Sequence, residues 1–490
     1  MRKLYLVLLC GLLCISNLNA QTWNIGYPNA ADVTATLQDS TLAISGTGAM
    51  VDWNQARNVP WDDWSVRSSI RTLIVESGVT TIGSNAFFNS TNLNSVTISN
   101  SVTSIGSSAF FRCTNLKNLI IEDGTSTLTL NGTGTNYAFY GCNPDTLHLG
   151  RNINWLGSRQ FGTNIKYLTI GNNVTSIGDW AFFHCTALAS VIIGNNVTTI
   201  GNFAFQDCTS LTSIIIPNSV TTIGDRAFFN CTALASVIIG NSVTTIGVQA
   251  FQDCTSLTSI IIPNSVTTIG DRAFFHCTAL ISVIIGNNVT TIGNSAFQDC
   301  TSLTSIIIPN SVTTIGDRAF FNCTALTSVI IGNSVTTIGV QAFMNCTNLT
   351  SVTSLNPVPP AVMTSAFLGV NRELCTLYVV SDKALAFYQN AEIWRDFLNI
   401  RALEPSNIDV VNATEIQIFP NPVTNELRII NHDWQQGDVV KLFDMNGRLV
   451  FSKGVSNTSA QGELIIDISS QKSGHYILHI GNRTAKVVKL

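Results

Sequence analysis

Ten alanines, Ala86, Ala109, Ala181, Ala204, Ala227, Ala250, Ala273, Ala296, Ala319 and Ala342, recur at intervals that are nearly all 23 residues, and each precedes a phenylalanine. A fixed period of this size is the signature of an array. Each unit is one supersecondary turn that cannot bury its apolar side alone and does so against its neighbours. Function in such a chain belongs to a long repetitive face.

Residues 208–230, CTSLTSIIIPNSVTTIGDRAFFN, show one unit. Leu211, Ile214 and Ile216 have the L-x-x-L-x-L spacing of a leucine-rich-repeat strand whose inward residues stack coil upon coil. Pro217 and Asn218 end it. Val220 and Ile223 bracket Thr221 and Thr222 in a second short extended run, after which Gly224 is expected to let the backbone turn. Because neighbours in a strand alternate faces, only one threonine column is expected to reach the surface. Ala227, Phe228 and Cys231 are spaced for one helical or 3₁₀ turn on the outer side.

The expected architecture is mainly β: a leucine-rich-repeat solenoid of about 12–13 coils with end caps, then a small C-terminal β-sandwich. Residues 1–20 carry Arg2 and Lys3, an apolar run from Leu4 to Ile15, and Ala20 before Gln21, the pattern of a cleavable secretory signal. Cys10 and Cys14 follow Leu9 and Leu13 rather than the small residue of a lipoprotein signal, which speaks against a lipid anchor. Residues 21–70 are the expected first cap, with Leu42-Ala43-Ile44 as a strand, Gly46-Thr47-Gly48 as a turn, and Trp53, Trp61 and Trp64 covering the open end. Three tryptophans there also offer stacking surfaces for a sugar.

Coils are expected over 71–356 and a second cap over 357–401, with a strand from Leu374 to Val380, a helix from Asp382 to Asn390, then Trp394 and Phe397. Residues 402–414, with Pro405 and Ser406, read as a linker, and 415–490 as the sandwich. Between Ala109 and Ala181 the phase slips, so that Ala138-Phe139 and Gln160-Phe161 mark irregular coils expected to bulge. A 46-residue unit overlays the short one: 181–226 and 273–318 differ only where Ala189 becomes Ile281 and Phe203 becomes Ser295.

Charged residues make up only 11% of the chain and the formal net charge is -4, which excludes the clustered lysine and arginine of a nucleic-acid partner. No apolar stretch after the signal is long enough for a transmembrane segment.

Cys113, Cys142, Cys185, Cys208, Cys231, Cys254, Cys277, Cys300, Cys323 and Cys346 each follow a repeat alanine by four residues, and Ser90 takes that place in the first repeat. They are expected to form a column of small buried thiols beneath the phenylalanine row, about 4.8 Å apart. Disulfides between coils are within reach, but parallel side-chain vectors suit the torsion poorly. His184 and His276 lie too far apart to complete a zinc site, so neither metal nor cofactor is expected, and Cys375 stands outside the column.

Ser219 or Asn196 holds the position of the asparagine ladder, and Val220 or Val197 comes one residue early. With the run Ile-x-Ile-Pro/Gly-Asn-x-Val-Thr-x-Ile-Gly-x-x-Ala-Phe, this resembles the BspA-like subfamily of bacterial leucine-rich-repeat surface proteins over most of the mature chain. The resemblance implies a solenoid used for adhesion to host matrix proteins or to other cells.

From Glu415 short alternating strands follow: Ile416 to Phe419, Leu427 to Ile430, Val439 to Phe443, Leu449 to Phe451, Leu464 to Ile468 and Tyr476 to Ile480, with Asn446-Gly447 as a tight hairpin. Phe419-Pro420-Asn421-Pro422, the segment Asp444 to Arg448 around Gly447, Ser473-Gly474-His475-Tyr476 and Lys486 to Lys489 resemble the C-terminal sorting domain of the type IX secretion system. That resemblance implies handling by the type IX machinery, passage through the outer membrane of a Gram-negative bacterium, and secretion or display on the outer cell surface. An ordinary immunoglobulin-like module that stays attached is the alternative.

None of His148, His184, His276, His432, His475 and His479 sits in a nucleophile or metal motif. His184 and His276 share their coil position with Asp207, Asn230, Asp253, Asp299, Asn322 and Asn345, which reads as a tolerant loop site. A His184-Cys185 thiol and base fails because adjacent turn residues seldom face each other. Asp225-Arg226, Asp271-Arg272 and Asp317-Arg318 read as exposed corner pairs. Gly132-Thr133-Gly134 lacks the lysine of a phosphate loop. No catalytic residue is assigned and the chain is read as a binding protein.

In each strand the second, third and fifth residues of L-x-x-L-x-L project outward. Ile192, Ile215, Ile238, Ile261, Ile284, Ile307 and Ile330 should form a stripe about 30 Å long, bordered by hydroxyls such as Thr212, Thr258 and Thr304. Such a row marks an interaction surface or simply rigidifies the sheet. The leading reading is an adhesin; a self-associating spacer is second. A glycan-cleaving enzyme in the coils between Glu122 and Gly162, with Asp123 and Asp145 as acids, would need two carboxyls about 5–10 Å apart. Hydroxyl ladders like those of ice binders rank last.

Overall fold

The computed structural model describes residues 20–53, 58–154 and 160–403, and in the tail 417–419, 426–430, 439–444, 449–455, 463–471, 474–480 and 483–489. The fold is a β-solenoid of about 14 turns of about 23 residues, with small antiparallel sheets in the C-terminal region. The chain divides into two units, one of residues up to 234 with 246–254, the other of 235–245 with everything from 255.

In the first unit an antiparallel hairpin, Val33–Gln38 with Thr41–Gly46, leads into a parallel sheet. Strands Thr72–Val75, Ser95–Ile98, Asn118–Ile121, Thr146–Leu149, Tyr167–Ile170 and Ser190–Ile192 follow in one register. Leu73, Val96, Leu119, Leu147, Leu168 and Val191 therefore fall in one inward column, and all are buried. A second, shorter parallel ladder runs through Val79–Ile82, Ser104–Ile105 and Thr129–Leu130, and again through Ser176–Ile177, Thr199–Ile200 and Thr222–Ile223.

The second unit repeats the scheme. Strands Ser305–Ile308, Ser328–Ile331, Ser351–Ser354, Thr376–Val379 and Asn399–Ala402 pair in parallel, as do the short strands Thr268–Ile269, Thr291–Ile292, Thr314–Ile315, Thr337–Ile338 and Ala361–Val362. There are more turns than the repeats alone suggest because the end segments, Thr41–Gly46 and Asn399–Ala402, continue the parallel ladder. In the tail, strands from two antiparallel sheets share one core through Leu427, Ile429, Leu442, Leu464, Ile466 and Leu478. Arg483–Lys489 forms a seventh strand, beyond the six that the alternating pattern predicts.

Among the described residues the outer side of the coils is neither a helical nor a 3₁₀ turn. In residues 225–230 turn bonds close from Ala227 N to the Gly224 carbonyl, Phe229 N to that of Arg226 and Cys231 N to that of Phe228. The alternate amides of Arg226, Phe228 and Asn230 instead donate to Val248, Ala250 and Gln252 of the next coil, at 2.8–2.9 Å. Arg226 (φ 53°) and Asn230 (φ 56°) are left-handed, and equivalent residues are left-handed in other coils. The helix-like spacing of Ala227, Phe228 and Cys231 thus belongs to a third intercoil ladder.

Gly224 does not turn the chain through a left-handed conformation. Its φ is not positive; a Cβ there would lie 2.7 Å from the amide nitrogen of Asn202, so glycine is required by the approach of the preceding coil. Gly286, where coils alternate Pro and Gly, is constrained likewise: a Cβ would lie 2.5 Å from the Pro263 carbonyl oxygen.

The phenylalanines after the repeat alanines stack, with ring centroids 5.3 Å apart for Phe205 and Phe228 and 5.4 Å for Phe297 and Phe320. Trp61 stacks on Phe87 at 5.3 Å and donates its indole N–H to the Ala86 carbonyl, and in the second unit Trp394 and Phe397 close against Phe367. Trp53 joins Trp61, but Trp64 does not: it is 82% exposed and opens a short helix capped by Asp63. The helix Asp382–Asn390 forms, whereas the preceding strand begins only at Thr376, and Leu374 is exposed.

All eleven cysteines of the described residues are buried and unbridged. Ladder thiols reach back one coil, as Cys208 Sγ does to the Phe182 carbonyl at 3.4 Å and Cys323 Sγ to that of Phe297 at 3.2 Å. Burial pushes up the thiols of Cys113, Cys208, Cys231, Cys300 and Cys323, that of Cys346 to about 12 and, outside the ladder, that of Cys375 to about 11.

Candidate interaction face

Strand residues alternate in and out, and the outward positions of the first sheet carry the candidate site. In the first unit Ile192 and Ile215 are 61% and 63% exposed. In the second unit Ile238 and Ile307 are each 37% exposed, while Ile261, Ile284 and Ile330 are half-buried. Register places Ile261 opposite Ile284 and Ile307 opposite Ile330, close enough for each side chain to shield its neighbour. Thr212 and Thr304 are exposed and Thr258 is half-buried. Some hydroxyls are committed: Thr304 Oγ1 donates to the Ile281 carbonyl at 3.4 Å and Thr327 Oγ1 to that of Thr304 at 2.9 Å.

The irregular coils add residues that the periodic reading did not assign to this face. Ile120, His148, Thr169 and Ile192 share one outward column, and Asn118, Thr146, Tyr167 and Ser190 the next. Tyr167 is 57% exposed. Beside it Asp145 sits between Lys166 at 3.2 Å and Lys117 at 3.7 Å, and His148 lies 3.3 Å from Asp123. Both candidate acids are therefore held by cationic or imidazole partners on the sheet face. The phase slip concealed this register, because these residues do not recur at the common interval.

Corner residues bond between coils rather than within pairs. Asp225 Oδ1 accepts the Val248 amide at 2.8 Å, Arg226 Nε donates to Gln249 Oε1 at 2.7 Å, and the Arg226 guanidinium lies 5.5 Å from the Phe203 ring. Asp317 and Arg318 repeat this with Val340 and Gln341. The position of His184, Asp207 and Asn230 is not a tolerant loop: all three are left-handed, and Asn230 Nδ2 donates to Asp207 Oδ1 at 2.8 Å. Asparagine, aspartate and histidine are the side-chain types that accept this backbone best.

Both threonines of the second run face outward. Val220 and Ile223 are buried while Thr221 is exposed and Thr222 half-buried, because a turn bond from Val220 N to the Pro217 carbonyl rotates the valine inward. Ser219, at the ladder position, donates to the Val197 carbonyl at 2.7 Å.

Of the sorting residues, Gly474 and Lys489 lie in paired strands and Tyr476 is buried against the tail core. Pro420, Asn421, Pro422 and Gly447 lie outside the described residues, as do 1–19 of the signal. Among the described residues no helix is long and apolar enough to cross a membrane.

Stacked parallel coils with an L-x-x-L-x-L strand define a leucine-rich-repeat solenoid. The chain belongs to the BspA-type leucine-rich-repeat family, whose model matches in six copies over residues 65–132, 133–258 and 244–367. Residues 417–490 match a secretion system C-terminal sorting domain, which makes this a secreted or surface protein of the type IX route. Among curated proteins no sequence matches it. Solved structures similar to it include a leucine-rich repeat protein from Bacteroides ovatus (23% identity, 66% of this chain and 93% of that one, TM-score 0.36). A leucine rich cell surface protein from Faecalibacterium prausnitzii (28%, 66% and 93%, TM-score 0.31) and the pneumococcal vaccine antigen PcpA (16%, 76% and 98%, TM-score 0.34) are also similar.

Proposed function

We propose that this chain is a non-enzymatic surface adhesin whose Ile-, Thr- and Ser-lined sheet face binds an extended partner, a host extracellular matrix protein or a protein on another cell. The reading rests on one observation: two isoleucines in successive coils, Ile192 and Ile215, stand nearly two-thirds exposed beside hydroxyl columns. Fully covering such a side chain contributes roughly 1.5–3 kcal/mol, so a few in line suffice to anchor a partner. Display on the outer surface of a Gram-negative bacterium belongs to the same proposal, with 21–401 as the binding part and 415–490 as the sorting domain.

The test compares wild type with Ile192→Lys/Ile215→Lys and, separately, with Ile238→Lys/Ile261→Lys/Ile284→Lys. Attachment to immobilised matrix proteins should fall at least tenfold for the first variant with thermal melting unchanged. Attachment equal to wild type in both variants overturns the proposal. Wild-type sedimentation that rises with concentration and is abolished by the same substitutions assigns the stripe to self-association instead.

A further inference from the structure

We propose that a cavity beside the long coil of the first unit binds a neutral saccharide, independently of the Ile-lined face. The coil that ends at Cys142 carries extra chain between Leu130 and Ala138, and this loop forms one side of an open groove of about 450 Å³ along the second ladder. That volume falls within the small-ligand range of about 300–1,000 Å³.

The floor is Thr81 and Ser104, partners in the parallel register. One wall is Ser84 and Ser107, which follow the close-packed Gly83 and Gly106. The loop supplies the other wall, and it is pinned. Asn131 Nδ2 donates to Ser104 Oγ at 2.8 Å, the Asn136 amide closes on the Thr133 carbonyl at 3.0 Å, and the Asn136 carbonyl accepts from Ser108 N at 3.0 Å. Gly132, at φ +117°, takes a backbone conformation that side chains rarely adopt. Asp52 lines the rim with one carboxylate oxygen holding the Ser84 amide at 2.6 Å. Its second oxygen, and the hydroxyls of Thr81, Ser84, Ser107 and Thr133, take no hydrogen-bond partner among the described residues.

This lining selects its ligand by chemistry. Among the described lining residues there is no lysine, arginine or histidine, and the one charge is negative, which disfavours phosphate, sulfate and carboxylate ligands. Ile82 is the only large apolar residue among the described lining residues and is itself buried, so a lipid or planar aromatic ligand gains little. A single carboxylate is poor provision for a calcium ion, which takes about six to eight oxygens. What remains is a ligand whose groups both donate and accept: vicinal sugar hydroxyls donate to the Asp52 carboxylate and exchange hydrogen bonds with the serine and threonine hydroxyls. Because such a ligand replaces water at sites that water already satisfies, binding is expected to be weak, on the order of millimolar.

The experiment is ligand-observed NMR on the full chain with glucose, galactose, mannose and N-acetylglucosamine, and with glucuronate and inorganic phosphate as anionic probes. Saturable binding of at least one neutral sugar is expected. It should weaken at least tenfold in Asp52→Asn, which retains an acceptor for the Ser84 amide, and in Thr133→Val, at an exposed loop position, with melting unchanged. Ile192→Lys/Ile215→Lys should leave sugar binding intact, which separates this site from adhesion. No saturable binding by any of the four sugars, binding indifferent to both cavity variants, or anionic probes binding as well as the neutral ones overturns the proposal.

Discussion

At the scale of single residues the array is governed by backbone conformations that the repeat consensus does not advertise. Asn322 is left-handed (φ 59°) and donates to Asp299 Oδ1 at 2.8 Å. Asn322→Val should cost about 2 kcal/mol in urea unfolding, from a β-branched side chain in that conformation and a lost bond. Asn322→Gly should cost less, since glycine adopts the conformation freely; equal losses would refute the argument. The thiols give a second expectation. Unfolded cysteines titrate near their usual value, whereas burial raises Cys208, Cys300, Cys323 and Cys346 well above it, so the folded state holds protons that the unfolded state releases. Stability is then fully present below about pH 9 and falls as pH rises toward about 12, the value reached by Cys346. An aromatic disulfide reagent at pH 8 should leave the ladder unreacted until denaturant is added, and rapid native labelling would contradict its burial.

At the scale of the element, steric approach between coils decides what the turns tolerate. Gly316→Ala would place a Cβ 2.7 Å from the Asn294 amide nitrogen, and should cost about 1–3 kcal/mol. Gly454→Ala, with nothing within 4 Å, should be neutral, and a similar loss at both positions would exclude the steric explanation. Legibility divides along the same line. The strand was readable from Leu211, Ile214 and Ile216 because the inward positions of L-x-x-L-x-L must be apolar. The outer turn was not, because Ala227, Phe228 and Cys231 mimic helical spacing and one left-handed position is filled by Arg226, which signals no turn; the recurring Asn, Asp or His at the Asn230 position was the one signal that could have revealed it. The columns of Tyr167, Lys117 and Lys166 were hidden by the slipped register, and the cavity over Thr81 and Ser104 by the same extra chain.

At the scale of the whole molecule, near-identity between double repeats makes the coil number adjustable. Deleting residues 273–318 joins Arg272 to Ala319, restores the order Arg-Ala-Phe-Phe, and keeps Pro and Gly alternating along the strand ends. The shortened protein should fold with far-ultraviolet circular dichroism per residue unchanged and a melting temperature within a few degrees, since each coil touches only its neighbours. Loss of cooperative melting would show that these coils carry contacts the repeat does not describe. Deleting 273–295 instead breaks the alternation and should be the more damaging change.

An exported chain full of unbridged sulfur faces a race. Before the coils wind, nothing shields the sulfurs from oxidising surroundings, and any premature cross-link between two of them would jam the register of every later turn. Swift, local winding is therefore the safeguard: each new layer seals the sulfur of the one beside it, so that protection advances along the chain with folding and needs no reductant.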